Sequence, residues 1–362
     1  MTKMHEDYQK IDKRTFLHNL GTGLACMATM SVSSLARGEG HSYQQAIKPI
    51  YLNKLKRGDT VGIICPSSAI DGELPFILAQ ETFEALGFKV KWGEHTHDRL
   101  GHLAGNDDGK LADLHRMFKD DQVKGIICMR GGSGAARLLD RIDYDLIKHN
   151  PKIFLGYSDI TALHAAIQSQ TGLITFHGPV GTSSWPSFVA DQFEALFFNG
   201  LPPIYENPLN KGDDLIPRQN RIQTINPGIA KGKLLGGNLT VLTTISGSPY
   251  YPDFSNSILF LEDVSEEPYR IERMLCQLKL NGTLGKIKGF IFGKCTDCAP
   301  NGGYGSLTLD EILSDYIKPL AIPAYQGALI GHIREQFILP VGAQITMDAD
   351  KGVFSVDGEI FS

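Results

Sequence analysis

Four stretches of this 362-residue chain place reactive residue types where a backbone turn could present them. "FLGYSDITALH" (154–164) runs from an apolar segment through Gly156 to Ser158 and Asp159, then into a helical pattern. A serine at such a corner is either a helix N-cap or a nucleophile held up to a substrate. The pattern Gly156-Tyr157-Ser158-Asp159-Ile160 lacks the trailing glycine of the Gly-x-Ser-x-Gly elbow, so local sequence alone favours the cap. "RGGSG" (130–134) puts three glycines in five residues after an apolar run. Glycine lets a backbone approach a ligand closely and expose its N–H groups. Without a Lys-Ser/Thr ending this is no phosphate loop; it reads as a tight turn or, beside a nucleophile, an oxyanion-stabilising one.

A serine nucleophile needs a base, and the base needs an orienting acid. "FLEDVSEEPYRIERM" (260–274) offers Glu262 and Asp263, then Glu266 and Glu267. "LIGHIREQFILPVG" (329–342) places His332 after Gly331, and His177 in "TFHGP" is a rival base. The chain has 11 histidines, and spacing alone does not choose among them.

The elements that must position these residues follow an alternating pattern. Apolar runs at 59–65, 88–92, 123–129, 152–157 and 173–178 read as strands. Helical patterns at 75–87, 107–120, 134–149 and 159–170 lie between them. This spacing predicts βαβ units in a doubly wound parallel sheet, with "CPSSA" (65–69), the glycine turn and the serine corner converging on one edge. Residues 200–228, rich in Pro, Asn and Asp, read as a linker. A second unit follows: "GKLLGGNLTVLTTIS" (232–246), strands at 257–263 and 286–293, helices at 268–282 and 308–320, and a terminal two-stranded element at 343–358. The expected architecture is α/β: a flavodoxin-like N-terminal domain (57–199) and a smaller mixed α/β C-terminal domain (229–362), with the active site between them.

Hydrophobic content of 42% and charged content of 21% mark an ordinary globular protein. A net charge of -5 gives no electrostatic case for nucleic acid or an anionic membrane surface. Residues 1–36 follow a three-part export pattern: Lys10, Lys13 and Arg14, then an apolar stretch of small residues, then Ser34-Leu35-Ala36. "DKRTFLHN" (12–19) resembles a twin-arginine signal with Lys13-Arg14 as the basic pair. Export to the periplasm or cell envelope is expected, with 37–56 as a lead-in; without a working signal the chain stays in the cytoplasm. A lipoprotein reading through Cys26 is weaker, because Gly23 sits where a branched aliphatic residue belongs. Beyond the signal no membrane contact is expected. "KCTDCAP" pairs Cys295 with Cys298; a zinc site lacks a second ligand pair, and a small disulfide or, less favoured, redox catalysis remains. No metal or organic cofactor is expected. The oligomeric state is open, a homodimer included.

"RGGSGAARLLDRIDYDLI", "GYSDITALH", "ITFHGP", "GGNL", "LFLEDVSEEPYRIERMLCQL" and "GHIREQFILPVGA" together resemble, in order, the LD-carboxypeptidases, serine peptidases that act on muramoyltetrapeptides. The similarity runs from about Asp59 to the C-terminus. It implies a Ser158–His332–Glu262 triad and demotes His177 and Asp263 to support. It implies release of terminal D-alanine from a murein peptide through an acyl-enzyme. Oxyanion donors would be the N–H groups of Asp159 and Gly132. Ser133 departs from the tyrosine more usual in the family, which touches substrate contacts and not the triad. Around the turn, Arg130 and Gly131 are candidate substrate contacts; Arg270 and Arg273, i and i+3 on one helix, are candidates for the substrate carboxylate or a solvated face. Trp185 is a candidate aromatic platform, or a core or rim residue. Two rival functions stand beside this one: a relative that cleaves peptidyl-nucleotide antibiotics, and a non-catalytic murein-peptide binding protein.

Overall fold

The computed structural model describes residues 50–300 and 305–362. The export signal expected over 1–36, and most of the lead-in at 37–56, lie outside the described residues. Short runs, too short for helices, form the strands of the first sheet; all but the second are largely buried on both faces, as a parallel sheet requires, and the second is a part-exposed edge strand. They are β1 (Thr60–Ile64), β2 (Lys89–Trp92), β3 (Val123–Cys128), β4 (Ile153–Gly156) and β5 (Thr175–His177). The second half contributes β6 (Gln223–Asn226), β7 (Ile229–Asn238), β8 (Ser257–Val264), β9 (Gly289–Thr296) and β10 (Ala324–Gln326). Three short strands close the chain: β11 (Leu339–Val341), β12 (Gln344–Asp348) and β13 (Val353–Val356).

The first sheet has the order β11-β5-β4-β3-β1-β2 and is parallel except at β11. Order 2-1-3-4-5 is the flavodoxin-like arrangement, whose strand order reverses between β1 and β3. The loops "CPSSA" and the glycine turn begin there, at the carboxyl ends of β1 and β3. The second sheet has the order β13-β12-β7-β8-β9-β10-β6, with β7 to β10 parallel and both flanks antiparallel. The chain is therefore α/β with two sheets, as expected. One apolar core, including Phe154, Phe176, Phe260 and Phe290, runs through both.

Three local expectations change. The helix expected over 134–149 is two pieces, a 3-10 turn at Ala135–Arg141 and a helix at Tyr144–His149. Asp143 is extended between them, and its carboxylate accepts the Leu146 N–H, so a capping residue breaks the helix it was assigned to. The stretch expected as a linker, 200–228, contains edge strand β6, and Tyr205 is fully buried against Phe354. The terminal two-stranded element is not separate: β12 pairs with β7 and extends the second sheet.

Candidate active site

β4 delivers Ser158 to the edge of the first sheet. Tyr157 is extended, and Ser158 has φ +64°, a left-handed conformation that costs a non-glycine residue of order 1–3 kcal/mol. Its hydroxyl does not cap the helix at Thr161–Thr171, whose N-cap position is Ile160. Instead it lies 3.0 Å from His332 Nε2. The strained corner turns the side chain away from the backbone amides a cap would satisfy.

The three loops expected to converge do so, and the Asp159 carboxylate ties them together. It accepts from the Ser67 hydroxyl, in the loop after β1, and from the Ala135 N–H at 2.8 Å, just past the glycine turn. The Ser68 hydroxyl accepts the Ser133 N–H at 2.9 Å. Contact here is so close that side chains do not fit. A Cβ on Gly131 would sit 2.7 Å from Ser158 Cβ, and one on Gly132 (φ +117°) would sit 2.2 Å from Ser68 Oγ. Sequence reasoning assigned Asp159 through its backbone only; the tie made by its side chain was missed.

The second sheet supplies the rest. Glu262, near the end of β8, is fully buried, and its Oε2 lies 2.8 Å from His332 Nδ1. Gly331 makes room for this contact: a Cβ there would lie 2.9 Å from Glu262 Oε2. The Tyr157 ring packs on the His332 imidazole at 4.8 Å between centroids. Cys295 and Cys298 form a disulfide just beyond, and the Thr296 hydroxyl between them donates to the His332 carbonyl at 3.1 Å. Neighbouring Asp263 accepts from Asn238 Nδ2, the Val264 N–H, and both the N–H and hydroxyl of Thr240. Burial still pushes its carboxyl up to about 6. Serine, imidazole and carboxylate thus form one hydrogen-bonded row, a geometry able to pass a proton from hydroxyl to imidazole and stabilise the resulting cation.

Residues 61–178 match the LD-carboxypeptidase N-terminal domain, and residues 231–347 match the LD-carboxypeptidase C-terminal domain. The chain belongs to the LD-carboxypeptidase family. It is similar to a probable murein peptide carboxypeptidase of Bacillus subtilis, with 41% identity over 306 residues, 83% of this chain and 91% of that one. It is also similar to the microcin C7 self-immunity protein MccF of Escherichia coli, with 30% identity covering 87% of this chain and 97% of that one. The muramoyltetrapeptide carboxypeptidase structure from Oxalobacter formigenes superposes with a TM-score of 0.69 at 27% identity, covering 82% of this chain and 97% of that one. A member of this family is a peptidase, a hydrolase.

The other residues singled out in this member of the family fare unequally. Arg130 is half-buried beside the glycine turn, with one guanidinium N–H donated to the Ala69 carbonyl at 3.0 Å. Trp185 takes the core-or-rim alternative: half-buried, its ring packs edge-on against Phe83 and Phe193, and its indole N–H donates to the Val180 carbonyl. Arg270 and Arg273 are exposed on the helix Pro268–Leu280, both over the Tyr269 ring, with Arg270 paired to Glu266 at 3.8 Å. That is the solvated-face alternative. His177 is fully buried on β5, and neither ring nitrogen has a partner among the described residues. Burial holds it well below the ordinary histidine range. Among the described residues no group of three or more His, Cys, Asp or Glu is placed to hold a metal, and no helix is long and apolar enough to cross a membrane.

Proposed function

We propose that this protein is a serine LD-carboxypeptidase that removes the terminal D-alanine from murein tetrapeptides. The observation that carries the reading is the Ser158–His332–Glu262 row, with 3.0 and 2.8 Å contacts, on a serine held at positive φ. His332 Nε2 takes the Ser158 proton as Oγ attacks the carbonyl on the L-centre side of an L,D-peptide bond. Glu262 orients the imidazolium through Nδ1–H. The tetrahedral oxyanion is met by the N–H groups of Asp159 and Gly132, each worth about 3 kcal/mol of barrier. His332 then protonates the leaving amine of D-alanine, and water, activated by the same imidazole, releases the acyl-enzyme. Arg130 suits the free carboxylate a carboxypeptidase must recognise, because a guanidinium carries five donors and only one is committed to Ala69.

The peptidyl-nucleotide reading needs an aromatic platform for a base. The chain has 2 tryptophans, and both rings are packed elsewhere: Trp185 as above, Trp92 against Phe76 and His97. The Lys13-Arg14 signal supports an exported enzyme, which culture fractionation tests. The deciding experiment is mass spectrometry of purified tetrapeptide incubated with the protein, with Ser158→Ala as control. D-alanine release that vanishes in the variant is expected. Release that survives the substitution removes Ser158 from its role. No release by the unmodified protein favours a binding protein or, if a peptidyl-nucleotide is cleaved, the rival activity.

A further inference from the structure

The Cys295–Cys298 pair takes no part in the acyl transfer derived above, yet it closes the loop that braces two of the three residues in the row. β9 runs beside β8 with Asp263 opposite Cys295 and Val264 opposite Thr296, so the disulfide stands one residue beyond Glu262. Three hydrogen bonds leave this short segment. The Lys294 N–H donates to the Ile330 carbonyl at 2.8 Å, and the Thr296 hydroxyl donates to the His332 carbonyl at 3.1 Å. The Thr296 carbonyl accepts the Ser265 N–H at 2.8 Å. The first two hold the loop carrying His332; the third holds the chain leaving Glu262. The Lys294 carbonyl also lies 3.3 Å from where a Cβ on Gly331 would stand, so the brace is packed as well as bonded.

The sulfur bridge spans the reversal that follows. Asp297 has φ +56°, a left-handed conformation in a residue with a Cβ, and Cys298 is buried beneath it. Among the described residues, the other link within the reversal is the Cys298 Sγ contact with the Thr296 carbonyl.

We propose that the Cys295–Cys298 disulfide is a redox-sensitive clamp on His332. Oxidised, it keeps Thr296 against the His332 carbonyl and the row in register. Reduced, the reversal relaxes, His332 loses its brace, and turnover falls. The reductant is a dithiol. Its thiolate attacks one sulfur and breaks the S–S bond, giving a mixed disulfide; its second thiol closes a cyclic disulfide, and two protein thiols are left after transfer of two electrons and two protons. Thr296 is a positioning residue, acting through the His332 backbone. The proposal rests on the reading of Ser158 as nucleophile.

The test uses the full chain, oxidised or treated with dithiothreitol, with the state of Cys295 and Cys298 read by alkylation and mass spectrometry. Two rates are followed: D-alanine release from tetrapeptide, and labelling of Ser158 by a fluorophosphonate, which needs no peptide substrate. Reduction is expected to lower kcat and the labelling rate about tenfold, since a misplacement of about 1 Å can cost up to 10²-fold. KM should stay within about twofold, and reoxidation should restore both rates. The Cys295→Ser/Cys298→Ser double variant should match the reduced protein and ignore dithiothreitol. Thr296→Val should lower kcat in the oxidised protein, and Thr296→Ser, which keeps the hydroxyl, should restore it. Equal rates in the two redox states overturn the clamp, as does a double variant that still responds to reductant. Should the double variant not fold, the redox titration of the unmodified chain decides alone. If labelling responds to redox state but no D-alanine is released, the clamp stands and the substrate assignment fails. If Ser158 labels in neither state, clamp and nucleophile fall together.

Discussion

The backbone N–H of Asn238 donates to the Thr161 hydroxyl at 2.9 Å. This bond joins the end of β7 in the second sheet to the first turn of the helix behind Ser158. The two sheets approach so closely here that a Cβ on Gly237 would lie 2.5 Å from Thr161 Oγ1. Thr161→Val keeps the shape and leaves a buried N–H unpaired, a loss of about 1–3 kcal/mol. Calorimetry should show a lower Tm, and kcat should fall with it because the serine corner shifts relative to His332. An unchanged Tm with unchanged kcat would remove this bond from the account.

Gly331→Ala tests the clearance beside Glu262. The position has φ +122°, and the added methyl meets Glu262 Oε2 at 2.9 Å and Glu262 Cβ at 3.1 Å. The His332–Glu262 contact must lengthen or tilt. Steady-state kinetics should show kcat reduced by about 10²-fold or more with KM little altered, the pattern of a lost transition-state interaction.

Two buried histidines set the acid limit of stability. Burial holds His164 down at about 4 and His177 well below the ordinary range. An unfolded histidine titrates near 6.5, so below that pH the unfolded state binds more protons. The stabilisation is complete above about 6.5 and is lost as pH falls toward 4, about 3 kcal/mol for His164 alone. Asp263 acts in the opposite sense: its carboxyl, raised to about 6, contributes stability at low pH that is lost as pH rises through that value. His177→Leu removes one histidine without breaking a hydrogen bond among the described residues. Its Tm should fall less steeply between pH 6.5 and 4 than that of the unmodified protein. A parallel curve would contradict the sign.

Substrate contacts separate Arg130 from the other candidates. Arg130→Lys replaces a planar fork with a point charge and should raise the KM for tetrapeptide about tenfold. Arg270→Ala and Arg273→Ala, on the exposed helix face, should leave KM within about twofold, as exposed pairs contribute little. Trp185→Phe should lower Tm without changing KM, as a packing residue does. A KM shift in the tryptophan variant would return it to the substrate site.

The alternation of strands and helices was legible because β1, β3, β4 and β5 are short apolar runs closely followed by Gly or Pro, while β2, Lys-Val-Lys-Trp before Gly93, alternates. β6 was not legible, since Gln223–Asn226 is a polar edge strand paired on one side only. The helix over 134–149 failed because Asp143 caps more strongly than its neighbours propagate. At the site, residue types were legible and partnership was not. Nothing local separates His332 from His177: Ser158 and His332 are 174 positions apart, and only the packing of the two sheets brings them together. The resemblance to a family supplied that pairing. The left-handed Ser158, the Asp159 tie and the Thr296 brace have no sequence signal of their own, because each depends on partners far along the chain.

The order of the three residues along the chain bears on synthesis. The serine corner belongs to a parallel sheet whose strands β1 to β5 are complete by residue 177, whereas Glu262 and His332 come later and edge strand β11 later still. A nascent chain folding from its N-terminus therefore carries a well-built nucleophile without a base for nearly half its length. On the proposed mechanism, a fragment ending before His332, whether released early from the ribosome or clipped by a protease, keeps a nearly finished first sheet but has no base for Ser158. If the proposed triad holds, hydrolysis begins only when the last thirty or so residues dock, and activity then reports completed assembly of the whole chain.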